Sequence, residues 1–206
     1  PDYYVVDPNP TITGGYLQTG SLSSVNGTIN WGVAGTVPGL LTYKNGTRVG
    51  NVVLEGNTTV YGKTNIVPGT IVQLDNNVNG YTYTQLGDTF LLNSGASLYS
   101  DFVNSKLLFK GSNKQYFHSA GTYYPPGTYM LEIDNSNDVI LSGGNTEVGS
   151  SLILKNGRLM TGNNFVVMNT SATSTRTNGW VVGYMAKFFN TGAQTFKYDI
   201  GTYNGY

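Results

Sequence analysis

Val139-Ile140-Leu141-Ser142-Gly143-Gly144 returns thirteen residues on as Leu152-Ile153-Leu154-Lys155-Asn156-Gly157, and after thirteen more as Phe165-Val166-Val167-Met168-Asn169-Thr170. Each copy is a short apolar, β-favouring run closed by corner residues, and Gly149 and Gly162 hold equivalent places between the copies. Recurrence at a fixed period with turn residues in constant phase is what a stacked architecture requires. Each unit leaves an apolar edge that only the next unit covers. A two-sheet sandwich gives successive strands unequal partners and no reason to repeat. Alternate residues of a strand share a face, so Val139 with Leu141, Leu152 with Leu154, and Phe165 with Val167 are expected to point inward and stack as columns.

Weaker matches extend the pattern. NVVLEGNTTVYG from Asn51 resembles DVILSGGNTEVG from Asp138, and PGTIVQLDN from Pro68 resembles PGTYMLEIDN from Pro126. Strand signals, punctuated by Asn-Gly, Gly-Asn, Gly-Ser and Pro-Gly, fall at 51–54, 71–74, 81–86, 107–110, 129–133, 152–154, 165–168 and 180–185. There is no helical stripe longer than two turns. The expected fold is all-β, a right-handed parallel β-helix (β-solenoid), the hand following from the general chirality of parallel crossovers. Residues 1–45 are less periodic and carry two Pro-bracketed corners, which predicts an irregular N-terminal cap or hairpin. Residues 46–190 form the solenoid, and 191–206 read as the start of a following β module. The chain begins Pro1-Asp2-Tyr3, which suggests a processed product or a segment of something longer.

Composition narrows the function. Eleven basic residues balance eleven acidic ones, and charged residues are 11% of the 206. Nucleic-acid binding and capture at anionic membranes both need a clustered basic surface, which the chain lacks. Lys106, Lys110 and Lys114 come nearest, with apolar residues between them. Cysteine is absent, which removes disulfides and thiolate metal sites, and no apolar run is long enough to span a membrane as a helix. A hydrophobic share of 39% with 16 Tyr and 8 Phe excludes disorder. Neutral polar groups must supply solubility, which suits long stacked strands.

A longer pattern runs from Leu131-Glu132-Ile133-Asp134-Asn135 to Val139-Ile140-Leu141, through Gly149-Ser150-Ser151-Leu152-Ile153-Leu154 and Gly157-Arg158-Leu159-Met160-Thr161-Gly162, and ends at Ile200-Gly201-Thr202. On these motifs the chain from Ser105 to Tyr206 resembles the repeat-rich, gliding-adhesin-like surface proteins that Bacteroidota export through the type IX secretion system. The chain departs from that family at Lys197-Tyr198-Asp199, where the family approaches its next domain through Pro-Val. The resemblance implies an extracellular, cell-surface structural repeat protein: part of a filament, sheath or long adhesin stalk that self-associates through end-to-end or lateral β contacts.

Candidate sites are sparse, and the expectation is a non-enzyme with no cofactor. His118 is the one histidine, and no nucleophile motif accompanies it. A polysaccharide-degrading β-helix enzyme would need converging carboxylates, for which Glu132 and Asp134, two apart on one face, with Asp138 and Glu147, are the candidates. Asp134, Ser136 and Asp138 mimic the start of a calcium loop. That pattern lacks the glycine at its sixth position, where Val139 stands, and the closing glutamate, where Asn145 stands; a solenoid corner accounts for it equally well. For a glycan ligand the candidates are Tyr123 and Tyr124, in a stiff projection before Pro125-Pro126, and Tyr81 with Tyr83 on one strand face. The plainer alternative has these rings packing on one another along the outside of the coil.

Overall fold

The structure, a computed structural model, describes residues 16–18, 29–31, 35–37, 40–43, 50–54, 57–66, 68–75, 78–102, 104–124 and 129–206, with side chains from residue 57 onward except those of Thr70 and Tyr124. These residues form strands and no helix, so none of them crosses a membrane as one. Among the described residues the pairings between named strands are parallel, and two isolated antiparallel bridges, Asp75–Gly80 and Thr202–Gly205, lie outside them.

Three sheets make the walls of a β-solenoid. The first face is ordered β1 (Tyr16–Gln18), β4 (Leu40–Tyr43), β7 (Thr64–Ile66), β10 (Thr89–Leu92), β13 (Gln115–Ser119), β16 (Val139–Ser142), β19 (Arg158–Met168), β21 (Trp180–Lys187) and β22 (Ile200–Gly201), with β17 (Thr146–Val148) beside β19. The second holds β2 (Ile29–Trp31), β5 (Gly50–Leu54), β8 (Thr70–Gln73), β11 (Ser97–Tyr99) and β14 (Thr122–Tyr124). The third holds β3 (Gly35–Val37), β6 (Thr58–Val60), β9 (Thr82–Gln85), β12 (Lys106–Phe109), β15 (Met130–Asp134), β18 (Ser151–Asn156) and β20 (Thr173–Arg176). Each turn lays one strand on each face, and a strand pairs with the third one after it. From β16 the coil simplifies: the 11-residue β19 takes both β16 and β17 as partners, so the first two faces merge. Strands before residue 46 pair in parallel with those after it, as in β4 with β7 and β3 with β6.

The stacking period is not the one the repeats suggested. Val72 pairs with Leu98, Leu107 with Leu131, and Val139 with Leu159, separations of 26, 24 and 20 residues. The thirteen-residue copies are therefore different stations around the coil rather than successive layers, in β16 on the first face, β18 on the third and the far half of β19. The Asn51 and Asp138 matches likewise fall on different faces, as do those from Pro68 and Pro126. Local sequence looks alike at all these places because every station asks for the same thing, a short alternating strand and then a polar corner.

The real columns run Tyr83–Leu107–Leu131–Leu152 on the third face, Phe90–Phe117–Leu141 on the first and Val72–Leu98–Tyr123 on the second, all buried. Val139, Leu141, Leu152 and Leu154 point inward as expected. The third copy is out of phase by one: Val166 and Met168 are buried, while Phe165 is 38% exposed. Gly162, at φ 58°, sits where β19 turns the merged corner, and the register shifts between Met160 and Phe165. Inside the coil Phe90 meets Tyr83, Phe109 and Phe117 edge-on at 5.5–6.0 Å.

The last residues lie across the final turn. Ile200–Gly201 pairs with Val181 and Val182, Phe196 packs against the core, and Trp180 Nε1 donates to the Thr202 carbonyl at 2.8 Å. The buried Asp199 carboxylate accepts from Ser174 Oγ and Tyr206 Oη, and the Arg176 guanidinium lies 3.6 Å from the Tyr206 ring centroid.

Candidate functional site

The passage from third face to first is a tight corner, and among the described residues it holds an organised set of polar side chains. Glycines let successive corners close up. A Cβ on Gly87 would lie 1.9 Å from the Gly62 carbonyl oxygen, and one on Gly157, at φ 73°, would lie 1.8 Å from that of Asn135. Behind them runs a ladder of buried side chains. Thr64 Oγ1 donates to Gln85 Oε1 at 2.6 Å, and Gln85 Nε2 donates to the Gly62 carbonyl at 2.6 Å. Gln115 Nε2 donates to the carbonyls of Gln85 and Gly87 at 2.8 and 2.7 Å, while its Oε1 accepts from Gly111 N at 3.0 Å and Asn135 Nδ2 at 2.9 Å. Asn135 Nδ2 also reaches the Asn113 carbonyl. Corner carbonyls and amides that would face an apolar core are thus satisfied from within.

Outside the same corner lies an open groove of 660 Å³ built by three successive turns. Tyr61 and Lys63 come from the link between β6 and β7, Asp88 from that between β9 and β10, and Lys110, Ser112 and Asn113 from that between β12 and β13. Tyr61 is 55% exposed. Asp88 accepts from Thr89 Oγ1 at 2.8 Å, and Lys110 stands 3.7 Å from Asp134.

Further along the corner the charged groups neutralise one another. Glu132 is buried on the third face between Lys106 at 2.6 Å and Lys155 at 2.5 Å. Burial opposes its ionisation, but the two ammonium groups outweigh it and hold the carboxyl below its ordinary range. Asp138 accepts bidentately from Arg158, at 3.0 and 2.6 Å, and from the Arg158 backbone amide at 2.9 Å. Burial again works against ionisation and Arg158 prevails, so its pKa falls. Glu147 is the opposite case, raised by burial.

Two of the four tyrosines expected to bind ligand are buried. Tyr83 is core: 1% exposed, edge-on to Phe90, its hydroxyl 2.8 Å from Thr64 Oγ1. Tyr123 is also buried, stacked on Tyr129 at 5.8 Å, its hydroxyl bonded to Ser119 and 3.1 Å from Thr146 Oγ1; burial pushes its pKa up to about 12. Neither offers a ring face to a glycan. Both are buried inside the coil, where a hydroxyl of another strand meets each phenol, rather than packed along its outside. Tyr81 is half-buried against the core. Tyr124 lies on β14, its side chain outside the described residues, as are Pro125 and Pro126.

The stretch that mimics the start of a calcium loop folds as a corner. Asn137 N donates to Asn135 Oδ1 at 2.8 Å, Asp138 N reaches the Asn135 carbonyl, and Asp138 takes φ 75°. Asp138 is committed to Arg158, Asp134 accepts from Asn156 Nδ2 at 2.6 Å, and no acidic or histidine cluster suited to a metal occurs among the described residues. Glu132 is held by Lys106 and Lys155, and Asp134 by Asn156 with Lys110 at 3.7 Å. His118 lies outward on β13 with its ring over Gly143 and Nδ1 3.4 Å from Ser142 Oγ.

Sequence reasoning missed both the amide ladder and the groove. Gln85 and Gln115 do stand in the inward phase of their strands, with Tyr83 and with Phe117, and that was the available signal. The groove had none, since its residues come from three turns some 25 residues apart. No family model, no curated protein and no solved structure matches the chain.

Proposed function

We propose that this chain is a rigid structural segment of the cell exterior: part of a surface filament, sheath or long adhesin stalk of the kind that Bacteroidota export by type IX secretion. The observation that carries the reading is the set of three parallel sheets stacked in register over one apolar core. Backbone ladders along the coil axis and columns of Leu, Val and Phe within it make a rod whose stability accumulates turn by turn. Neutral corners and outer faces keep such a rod soluble with few charges.

Assembly in this reading uses end-to-end or lateral β contacts. Beside β22 the first face offers a short edge, since that strand has two residues and runs into an antiparallel bridge between Thr202 and Gly205. Lateral association has better material there: Phe165 and Tyr184, 5.1 Å apart on neighbouring strands, with Phe188 and Phe189, all exposed. Electron microscopy and sedimentation of the purified chain test the reading. Regular fibres or concentration-dependent oligomers that dissolve on Phe165→Ser/Tyr184→Ser replacement are expected. A monodisperse monomer at all concentrations, with no filaments on cells that make the protein, overturns it.

A further inference from the structure

We propose that the corner groove binds an acidic oligosaccharide, about three sugar residues long, one to each turn. This is separate from the assembly reading and stands or falls without it.

Three features carry the inference. First, the groove has a repeat length. Its walls come from three successive turns, stacked about 4.8 Å apart as neighbouring strands are, a step close to one pyranose residue along a glycan chain. Second, it has a stacking platform. Tyr61 stands half in solvent with no hydrogen bond or ring contact among the described residues, free to lie against the C–H face of a sugar ring. Third, its charge is unbalanced in a chain that is balanced overall. Lys63 and Lys110 face one groove carboxylate, Asp88, and among the described residues Lys63 has no ion-pair partner. Lys110 has only the loose 3.7 Å contact to Asp134, which is held more closely by Asn156. A uronate carboxylate or a sulfate gives both ammonium groups a counter-charge. Asp88, Ser112 and Asn113 are exposed and remain for sugar hydroxyls.

The groove is also prepared in advance. Its floor is backbone at Gly62 and Gly87, and the carbonyls of both are held from inside by the amides of Gln85 and Gln115. Little ordering is left to do on binding, which favours affinity for a ligand of modest contact area. A nucleic acid would meet two lysines and a carboxylate where it needs a basic track.

The test is calorimetric titration of the intact chain with galacturonate, glucuronate-containing and sulfated oligomers of two to five residues, against neutral oligomers of equal length. Saturable binding to at least one acidic series is expected, strengthening up to the trimer and levelling beyond it, and weakening with salt. Tyr61→Ala and Lys63→Ala should each weaken it roughly tenfold, while Tyr61→Phe keeps it. These side chains are exposed, so circular dichroism should find the variants folded. No saturable binding to any acidic oligomer, equal binding to neutral ones, or binding indifferent to Tyr61 and Lys63 overturns the proposal.

Discussion

Replacing Gln115 by Met tests whether the buried amide ladder holds the corners together. Met has similar length and no amide, so the change removes hydrogen bonds with little change of volume. Four bonds are lost, but not all four partners are stranded. The Gln85 carbonyl keeps the Lys110 amide at 3.0 Å, and Asn135 Nδ2 keeps the Asn113 carbonyl at 2.7 Å. The Gly87 carbonyl and the Gly111 amide are left without a side-chain partner; Gly87 is buried and Gly111 partly so. An orphaned buried group costs roughly 1–3 kcal/mol, and the partly wet one falls at the low end, so Gln115→Met should destabilise by about 3 kcal/mol. Guanidinium unfolding gives the loss from the midpoint if the slope is unchanged. Amide exchange gives it locally, as faster exchange at Gly111 and the neighbouring corners than on the second face. A loss under about 1 kcal/mol with Gly111 still protected would mean that water replaces the amide, and the claim that this corner is a dry polar spine would fail.

Two carboxylates should titrate with opposite sign. The Glu132 pKa is depressed in the fold, so its contribution is present above its unfolded value near 4.5 and is lost as pH falls through the folded one; Glu132→Gln should lower the melting temperature at pH 7, with the gap to wild type closing in acid. The Glu147 pKa is raised, so its ionised form opposes folding, and Glu147→Gln should raise the melting temperature at pH 7 with an advantage that vanishes below about pH 4.5. Gly157→Ala forces a Cβ to 1.8 Å from the Asn135 carbonyl oxygen at φ 73° and should cost about 3 kcal/mol or more, whereas Gly162→Ala, at φ 58° with open space around the new Cβ, should cost about 1 kcal/mol. Equal losses at the two glycines, read by denaturant midpoint, would contradict the close stacking of corners.

The solenoid was legible because its unit is local. Alternation at Leu152 and Leu154 closed by Lys155-Asn156-Gly157 announces a strand and a corner, and enough such units in succession leave few other folds. The phase around the coil was not legible. Whether a strand lies on the first, second or third face is decided by how many stations complete a turn, and no station carries that number. A thirteen-residue echo therefore passed for a layer when the layers are 19 to 27 residues apart. The same blindness displaced the third copy. Val166 rather than Phe165 turns inward because β19 kinks at Gly162 to serve two partners, a demand set by β16 and β17 rather than by its own residues.

The tyrosines and the amides make the same point about the site. A phenol reads as a surface group until a hydroxyl is found to meet it, and those hydroxyls stand 19 residues from Tyr83 at Thr64 and 23 from Tyr123 at Thr146. Gln115 reads as an intrusion into an apolar strand until the carbonyls of the preceding turn are placed 2.7 and 2.8 Å from it. In a coil, polar groups are satisfied by the adjacent turn, so which of them are buried and which remain for a ligand depends on the stacking period. Once that period is known, Tyr83, Tyr123, Glu132 and Asp138 are committed to neighbouring strands and turns. Tyr61 and Lys63 hold no such contact among the described residues, and that is the physical reason the groove is a place to look for a ligand.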